Sequence, residues 1–208
     1  MIGGDGWAYD IGFSGIDHVL ASGENTNILV LNSEVYSNTG GQTSKATPEG
    51  AVAPFASSGK KTVSKDLAKI AMTYPNVYVA QINLGANMLQ TIKALKEAEA
   101  HNGPSIVIAY APCINHGIDG GMVNSLHTAS LATKSGYYPI FRYDNGKFTL
   151  DSKNADFDLF EEFVKTQNRF KQLENVNKEQ ASDLLNESKE KMIKNYKYYE
   201  MLEKECIR

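Results

Sequence analysis

Three short apolar runs decide what this chain can fold into. Residues 27–32 (Asn-Ile-Leu-Val-Leu-Asn), 77–82 (Val-Tyr-Val-Ala-Gln-Ile) and 105–111 (Ser-Ile-Val-Ile-Ala-Tyr-Ala) are apolar almost throughout and bounded by polar or turn-forming residues. A strand with one wet face alternates apolar and polar side chains. A run without alternation is buried on both faces, as in the middle of a parallel sheet. Stretches with helical spacing lie between the runs. Residues 64–74 carry Leu67, Ile70 and Ala71 in phase, with Ser64 as N-cap, and residues 87–101 carry Leu89, Ile92, Leu95 and Ala98 in phase before Asn102-Gly103-Pro104 closes the helix. Earlier, residues 7–22 place Ile11, Ile16, Val19 and Leu20 at helix-compatible spacing. Strand, helix, strand, helix, strand is the order of an α/β fold with a doubly wound, mostly parallel sheet.

Residues 33–61 are punctuated by glycine and proline without a clear period. A loop of that length in a compact domain usually serves function. Residues 137–143 and 147–150 read as strands joined by the turn Asp144-Asn145-Gly146. The rest is helical, with one apolar stripe at Phe157, Phe160, Phe163, Val164 and Phe170 and another running from Leu184 to Leu202. The expected organisation is an α/β domain over residues 1–150 and a helical C-terminal extension over residues 151–208. A glycine turn preceded only by Met1 and Ile2 reads as a piece of something longer.

Composition narrows the function classes. The chain has 208 residues, 42% of them apolar, and a net charge of −3. An acidic balance argues against general nucleic-acid binding. No apolar run approaches the ~20 residues of a membrane span, and nothing at the N-terminus resembles a secretion signal. Two cysteines, Cys113 and Cys206, exclude a disulfide scaffold and make the cytoplasm the expected compartment.

Candidate chemistry starts at Gly3-Gly4-Asp5-Gly6. On its own this is an ordinary turn. Its context changes the reading, because Asn32-Ser33-Glu34-Val35-Tyr36-Ser37-Asn38 follows directly on the next apolar strand. A carboxylate at one strand end and a hydroxyl at the next stand where open α/β sheets bind ligands. A magnesium-bound diphosphate needs this set. Mg²⁺ takes hard oxygen ligands and shares them with phosphates. Asp5 offers a carboxylate oxygen, Ser33 a hydroxyl and Val35 a main-chain carbonyl. The glycines let backbone N–H groups approach phosphate.

Gly4-Asp5-Gly6 followed 28 positions later by Ser33, with Asn38 just beyond, resembles the thiamine diphosphate motif. The strings Gly-Gly-Asp-Gly-Trp-Ala-Tyr-Asp-Ile-Gly (3–12), Glu-Val-Tyr-Ser-Asn-Thr-Gly-Gly-Gln (34–42) and Ala-Tyr-Ala-Pro-Cys-Ile (109–114) are more specific. Together they resemble the C-terminal cofactor-binding region of pyruvate:ferredoxin (flavodoxin) oxidoreductases, over essentially the whole chain and most closely over residues 3–143.

The resemblance implies oxidative decarboxylation of pyruvate with coenzyme A, giving acetyl-CoA and CO₂, with electrons passing through iron–sulfur clusters to ferredoxin or flavodoxin. It implies Asp5, Ser33 and the Val35 carbonyl as Mg²⁺ ligands, Ser33 standing where the family usually has Thr. Gly4, Gly6, Trp7, Glu34, Tyr36 and Ser37 fall in segments lining the cofactor. Asn38 matches a polar residue close to the thiazolium and substrate, the one catalytic candidate here. Cys113 matches a thiolate ligand of a [4Fe–4S] cluster. Asn32 stands where the family commonly has Asp.

Read without that match, Cys113 is a small buried hydrophobe with no CxxC partner, and Cys206 has no counterpart. His18, His101, His116 and His127 lack zinc-site spacing. Asn115 and His116 shape the cysteine's loop, Asp119-Gly120-Gly121 lacks a P-loop lysine, and Lys60 and Lys61 read as solvated. The resemblance also implies that three further cluster cysteines, the glutamate that activates the aminopyrimidine and the pyruvate-binding residues lie in the rest of the oxidoreductase, which is a homodimer. The isolated chain is therefore expected to be inactive and to bind the cofactor weakly. Two alternatives stay open: a segment acting on another 2-oxo acid, and a non-catalytic α/β remnant.

Overall fold

The computed structural model describes residues 1–176 and 178–205. Six strands form one sheet: β1 (Ile2–Gly4), β2 (Asn27–Asn32), β3 (Tyr78–Ile82), β4 (Ser105–Tyr110), β5 (Phe141–Asp144) and β6 (Lys147–Leu150). Their spatial order is β1-β2-β4-β3-β5-β6. The first four run parallel, and β5 joins β3 antiparallel and turns back into β6. The β5–β6 turn has φ +48° at Asn145 and +80° at Gly146, the two left-handed residues that a two-residue hairpin loop favours.

Helices cover both faces of β3 and β4, but β2 departs from the expectation of two buried faces: Ile28, Val30 and Asn32 are buried on one side, while Leu29 is half-buried and Leu31 44% exposed on the other. Ile28, Val30, Val79, Ile106 and Ile108 face α1 (Phe13–Ser22), α2 (Leu67–Ala71) and the end of α7 (Lys178–Glu205). Tyr78, Ala80, Ile82 and Val107 face Ala94 and Ala98 of α3 (Met88–Ala100). A further cluster gathers Tyr110 and Tyr138 with α4 (Ser125–Lys134), α5 (Phe160–Lys165), Phe170 of α6 (Asn168–Val176) and Met192 of α7. The C-terminal helices therefore share cores with the sheet: Phe163 and Tyr199 are as buried as the central strands.

Several local expectations change. In α3 the residues against the sheet include Gln90, Thr91, Ala94 and Ala98, whereas Leu89 is 79% exposed and Ile92 and Leu95 are also exposed. The small side of the helix seats closely on the strands, and Gln90 reaches the Gln81 carbonyl and Asp151, so the larger apolar stripe points outward. Asp66, not Ser64, caps α2, accepting from the Lys69 amide at 3.0 Å. Ser64 instead donates to the Thr47 carbonyl. Strand β5 starts only after Pro139, which cannot donate in a ladder. Helix α4 was not legible. Lys60 is not a solvated lysine: its ammonium donates to the carbonyls of Ser44 and Thr47 at 3.0 and 2.5 Å and staples the 33–61 loop. Cys206 lies outside the described residues. No helix among the described residues is long and apolar enough to cross a membrane.

Candidate cofactor site

The parallel ladder sets the site. Pairing of Gly4 with Leu31 and of Asn32 with Tyr110 brings three strand ends level. Asp5 leaves β1, Ser33 leaves β2 and Cys113 follows β4, all at the carboxyl edge where such sheets take ligands. Asp5 then opens a π-helical turn, Gly6–Ile11.

Asp5 is 1% exposed. Its Oδ1 accepts from Ser33 Oγ at 2.8 Å, and Ser33 Oγ lies 3.1 Å from the Val35 carbonyl oxygen. Oδ2 accepts from Ser44 Oγ at 2.6 Å. Burial pushes the Asp5 carboxyl above its ordinary range, and the bonds from Ser44 and Ser33 only partly offset this. Among the described residues no lysine, arginine or histidine forms an ion pair with it. A buried carboxylate without a counter-charge, next to a hydroxyl and a carbonyl, suits a hard divalent cation. One carboxylate is enough for Mg²⁺ shared with phosphates, so it is consistent that no cluster of three or more His, Cys, Asp or Glu occurs among the described residues.

The flanking residues divide into two groups. Gly4 and Asn38 are exposed, with Asn38 on the short turn Ser37–Thr39, and Trp7 and Tyr36 are half-buried. Gly6 is buried under Tyr36: a Cβ there would sit 2.4 Å from the Tyr36 ring. Gly6→Ala is therefore expected to cost about 1–3 kcal/mol through overpacking, read as a lower denaturant midpoint at unchanged m-value. An unchanged midpoint would contradict the contact. Glu34, by contrast, points inward and is buried, accepting from Arg169 Nη2 at 2.6 Å and from the Tyr137 hydroxyl at 2.8 Å.

Cys113 is buried at the far side of the same turn. Its sulfur lies 2.9 Å from Ser37 Oγ and accepts from the Asn115 amide and side-chain nitrogens at 3.4 Å. These are contacts a thiolate favours. The fully buried His116 joins the two halves: Nε2 donates to the Ser33 carbonyl at 2.7 Å and Nδ1 accepts from the Cys113 amide at 3.5 Å. Burial, then the nearby Arg169 charge, hold its pKa well below the ordinary value, so the ring is neutral with its proton on Nε2. Ser44, Thr47, Tyr137 and Arg169 were not singled out from the sequence. Their contacts span up to 135 positions, and no motif marks them.

A family model for thiamine pyrophosphate enzymes, the C-terminal TPP binding domain, matches residues 1–109, just over half of the chain. The chain belongs to this family. As a thiamine pyrophosphate enzyme domain it has near relatives throughout its length. It is 51% identical over 197 residues to pyruvate-flavodoxin oxidoreductase of Klebsiella pneumoniae, covering 91% of this chain and 17% of that protein. It is 53% identical over 191 residues to pyruvate:ferredoxin oxidoreductase of Moorella thermoacetica, covering 88% of this chain and 16% of that protein. It is 49% identical over 198 residues to pyruvate dehydrogenase [NADP(+)] of Cryptosporidium parvum, covering 88% of this chain and 10% of that protein. The chain thus spans a sixth or less of these relatives. Among solved structures, a 2-oxoglutarate:ferredoxin oxidoreductase from Magnetococcus marinus, solved with 2-oxoglutarate, coenzyme A and succinyl-CoA bound, superposes with a TM-score of 0.51 at 24% identity. It covers 54% of this chain and 39% of that one, and shows the shared fold.

Proposed function

We propose that this chain is the thiamine diphosphate-holding segment of a pyruvate:ferredoxin/flavodoxin oxidoreductase, which turns pyruvate and coenzyme A into acetyl-CoA and CO₂ and releases two electrons to iron–sulfur carriers. The observation that carries the reading is Asp5, buried and without an ion-pair partner among the described residues, bonded to the Ser33 hydroxyl, which in turn lies 3.1 Å from the Val35 carbonyl oxygen. Near-50% identity to pyruvate oxidoreductases supports the choice of substrate.

Bound thiamine diphosphate supplies the electron sink that decarboxylation of a 2-oxo acid needs. Asp5, Ser33 and the Val35 carbonyl would hold the Mg²⁺ that accompanies it. Trp7 and Tyr36 shape the pocket. Asn38, exposed on the turn Ser37–Thr39, would orient the substrate by hydrogen bonding. Cys113 would give one thiolate to a [4Fe–4S] cluster, which would supply a one-electron acceptor, with the remaining three thiolates from the rest of the oxidoreductase. That remainder also brings the coenzyme A and pyruvate sites and the dimer contacts. A reducing compartment suits a cysteine kept free of disulfides to bind a cluster, so the reading places the protein in the cytoplasm.

The test is an anaerobic assay of the full oxidoreductase that carries this segment. Pyruvate and coenzyme A are expected to give acetyl-CoA and a reduced ferredoxin or flavodoxin, dependent on thiamine diphosphate and Mg²⁺, with 2-oxoglutarate turned over far more slowly. Preference for 2-oxoglutarate, or no cofactor-dependent turnover, would overturn it.

A further inference from the structure

The turn that carries Ser33 and Val35 is held in a conformation its sequence does not favour. Glu34 at its centre has φ +59°, in the left-handed region that glycine or asparagine occupies at little cost and glutamate does not. The side chain explains its presence. It runs inward to a guanidinium, Arg169, that is itself only 2% exposed. Arg169 Nη2 donates to Glu34 Oε2 at 2.6 Å, and its Nε donates to Gln167 Oε1 at 2.9 Å. Tyr137 donates to the other carboxylate oxygen. Arg169 is anchored in turn, since its carbonyl accepts from the Val52 amide at 2.8 Å.

The main chain of the turn is gripped as well. Thr47 Oγ1 donates to the Glu34 carbonyl at 2.5 Å, and His116 Nε2 donates to the Ser33 carbonyl. With these atoms fixed inside, the Ser33 hydroxyl and the Val35 carbonyl are left beside Asp5. Arg169, Tyr137 and His116 all lie beyond residue 109, where the match to the thiamine pyrophosphate family ends.

We propose that Arg169, supplied by the C-terminal helical extension, is a positioning residue for the cation-holding turn: by pairing with Glu34 in the interior it keeps the Val35 carbonyl and the Ser33 hydroxyl aimed at the cation beside Asp5. The proposal rests on the reading of those three groups as the Mg²⁺ ligands. A planar fork is needed because one side chain engages Gln167 and Glu34 together. Removing the guanidinium alone strands a buried carboxylate. The turn then relaxes toward ordinary backbone, and the carbonyl moves with it.

The experiment uses the full oxidoreductase and measures thiamine diphosphate binding as Mg²⁺ is varied, with melting temperature recorded without cofactor. Arg169→Lys keeps the charge and loses the fork. The double variant Glu34→Gln with Arg169→Met removes both charges and spares the fold an unpaired carboxylate. Both are expected to raise the Mg²⁺ concentration for half-saturation by about 10- to 100-fold, the range typical of residues that orient metal ligands, and excess Mg²⁺ is expected to restore binding. A variant with wild-type Mg²⁺ dependence overturns the proposal, as does a lowered melting temperature with no change in the Mg²⁺ midpoint, the signature of a merely structural pair. Asp5→Asn run in parallel separates the two levels. If Asp5→Asn leaves the Mg²⁺ dependence intact, the ligand assignment itself has failed. If it abolishes that dependence while the Arg169 variants do not shift it, only the positioning role has failed.

Discussion

Asp5→Asn is expected to weaken Mg²⁺-dependent thiamine diphosphate binding by about 100-fold without destabilising the cofactor-free protein. The two halves of this expectation have one cause. Asp5 is buried with hydroxyls as its partners, and burial raises its pKa. Deleting the charge removes the one anionic group among the three proposed ligands. A charge-assisted contact contributes about 1.5–3 kcal/mol, or roughly 10- to 150-fold in affinity. The amide is nearly isosteric, and the hydroxyls of Ser33 and Ser44 can each rotate to donate or accept. Desolvation of a charge is also relieved. Calorimetric titration of the full enzyme, paired with its thermal midpoint before cofactor is added, reads both. An affinity within a few-fold of wild type would dismiss Asp5 as the cation's ligand, and a large drop in the cofactor-free midpoint would mean that the carboxylate is structural.

The second large effect concerns the extension. A chain ending at residue 150 is expected not to fold. Phe160, Phe163, Phe170, Tyr196 and Tyr199 are all buried against the sheet or the helices beside it. Tyr199 packs 4.6 Å from Phe141 and stacks at 5.5 Å on Phe148 of β6. Each such ring contributes about 1.5–3 kcal/mol when fully buried. Losing five removes as much as the whole margin of about 5–15 kcal/mol that keeps a typical domain folded. Arg169 would go too, leaving Glu34 buried and unpaired. Circular dichroism and limited proteolysis of residues 1–150 test this. A cooperative melt with native-like protection would show that the extension is an independent appendage.

How much of this was legible in the sequence depended on how local the signal was. Strands β2 and β4 stood out as unbroken apolar runs, but only β4 is buried on both faces; on β2, Ile28 and Val30 are buried while Leu31, on the other face, is 44% exposed. Helix α3 was visible as a helix, but its stripe of Leu89, Ile92 and Leu95 gave the wrong face. Periodicity reports where apolar residues cluster and not which side a sheet accepts, and here closeness to the strands selected alanines. Helix α4 buries Thr128, Ala129, Leu131, Ala132 and Thr133, and one large apolar residue among small and polar ones leaves no period to register. The glycine turn and Ser33 could be paired on paper because each directly follows a strand, and parallel pairing brings neighbouring strand ends level. Ser44, Thr47 and Arg169 could not. They reach the site through a long irregular loop and a distant helix, and nothing in their spacing encodes that return.

One imidazole touches both the Ser33 carbonyl and the Cys113 amide. On the proposed ligand roles, this ring is a side chain shared by the cation-holding turn and the thiol loop. A group that shifts the β2 turn would reach the thiol loop through it, and a group on the thiol loop would reach the turn. By thermodynamic reciprocity, the advantage each occupant gains from the other is the same factor in both directions.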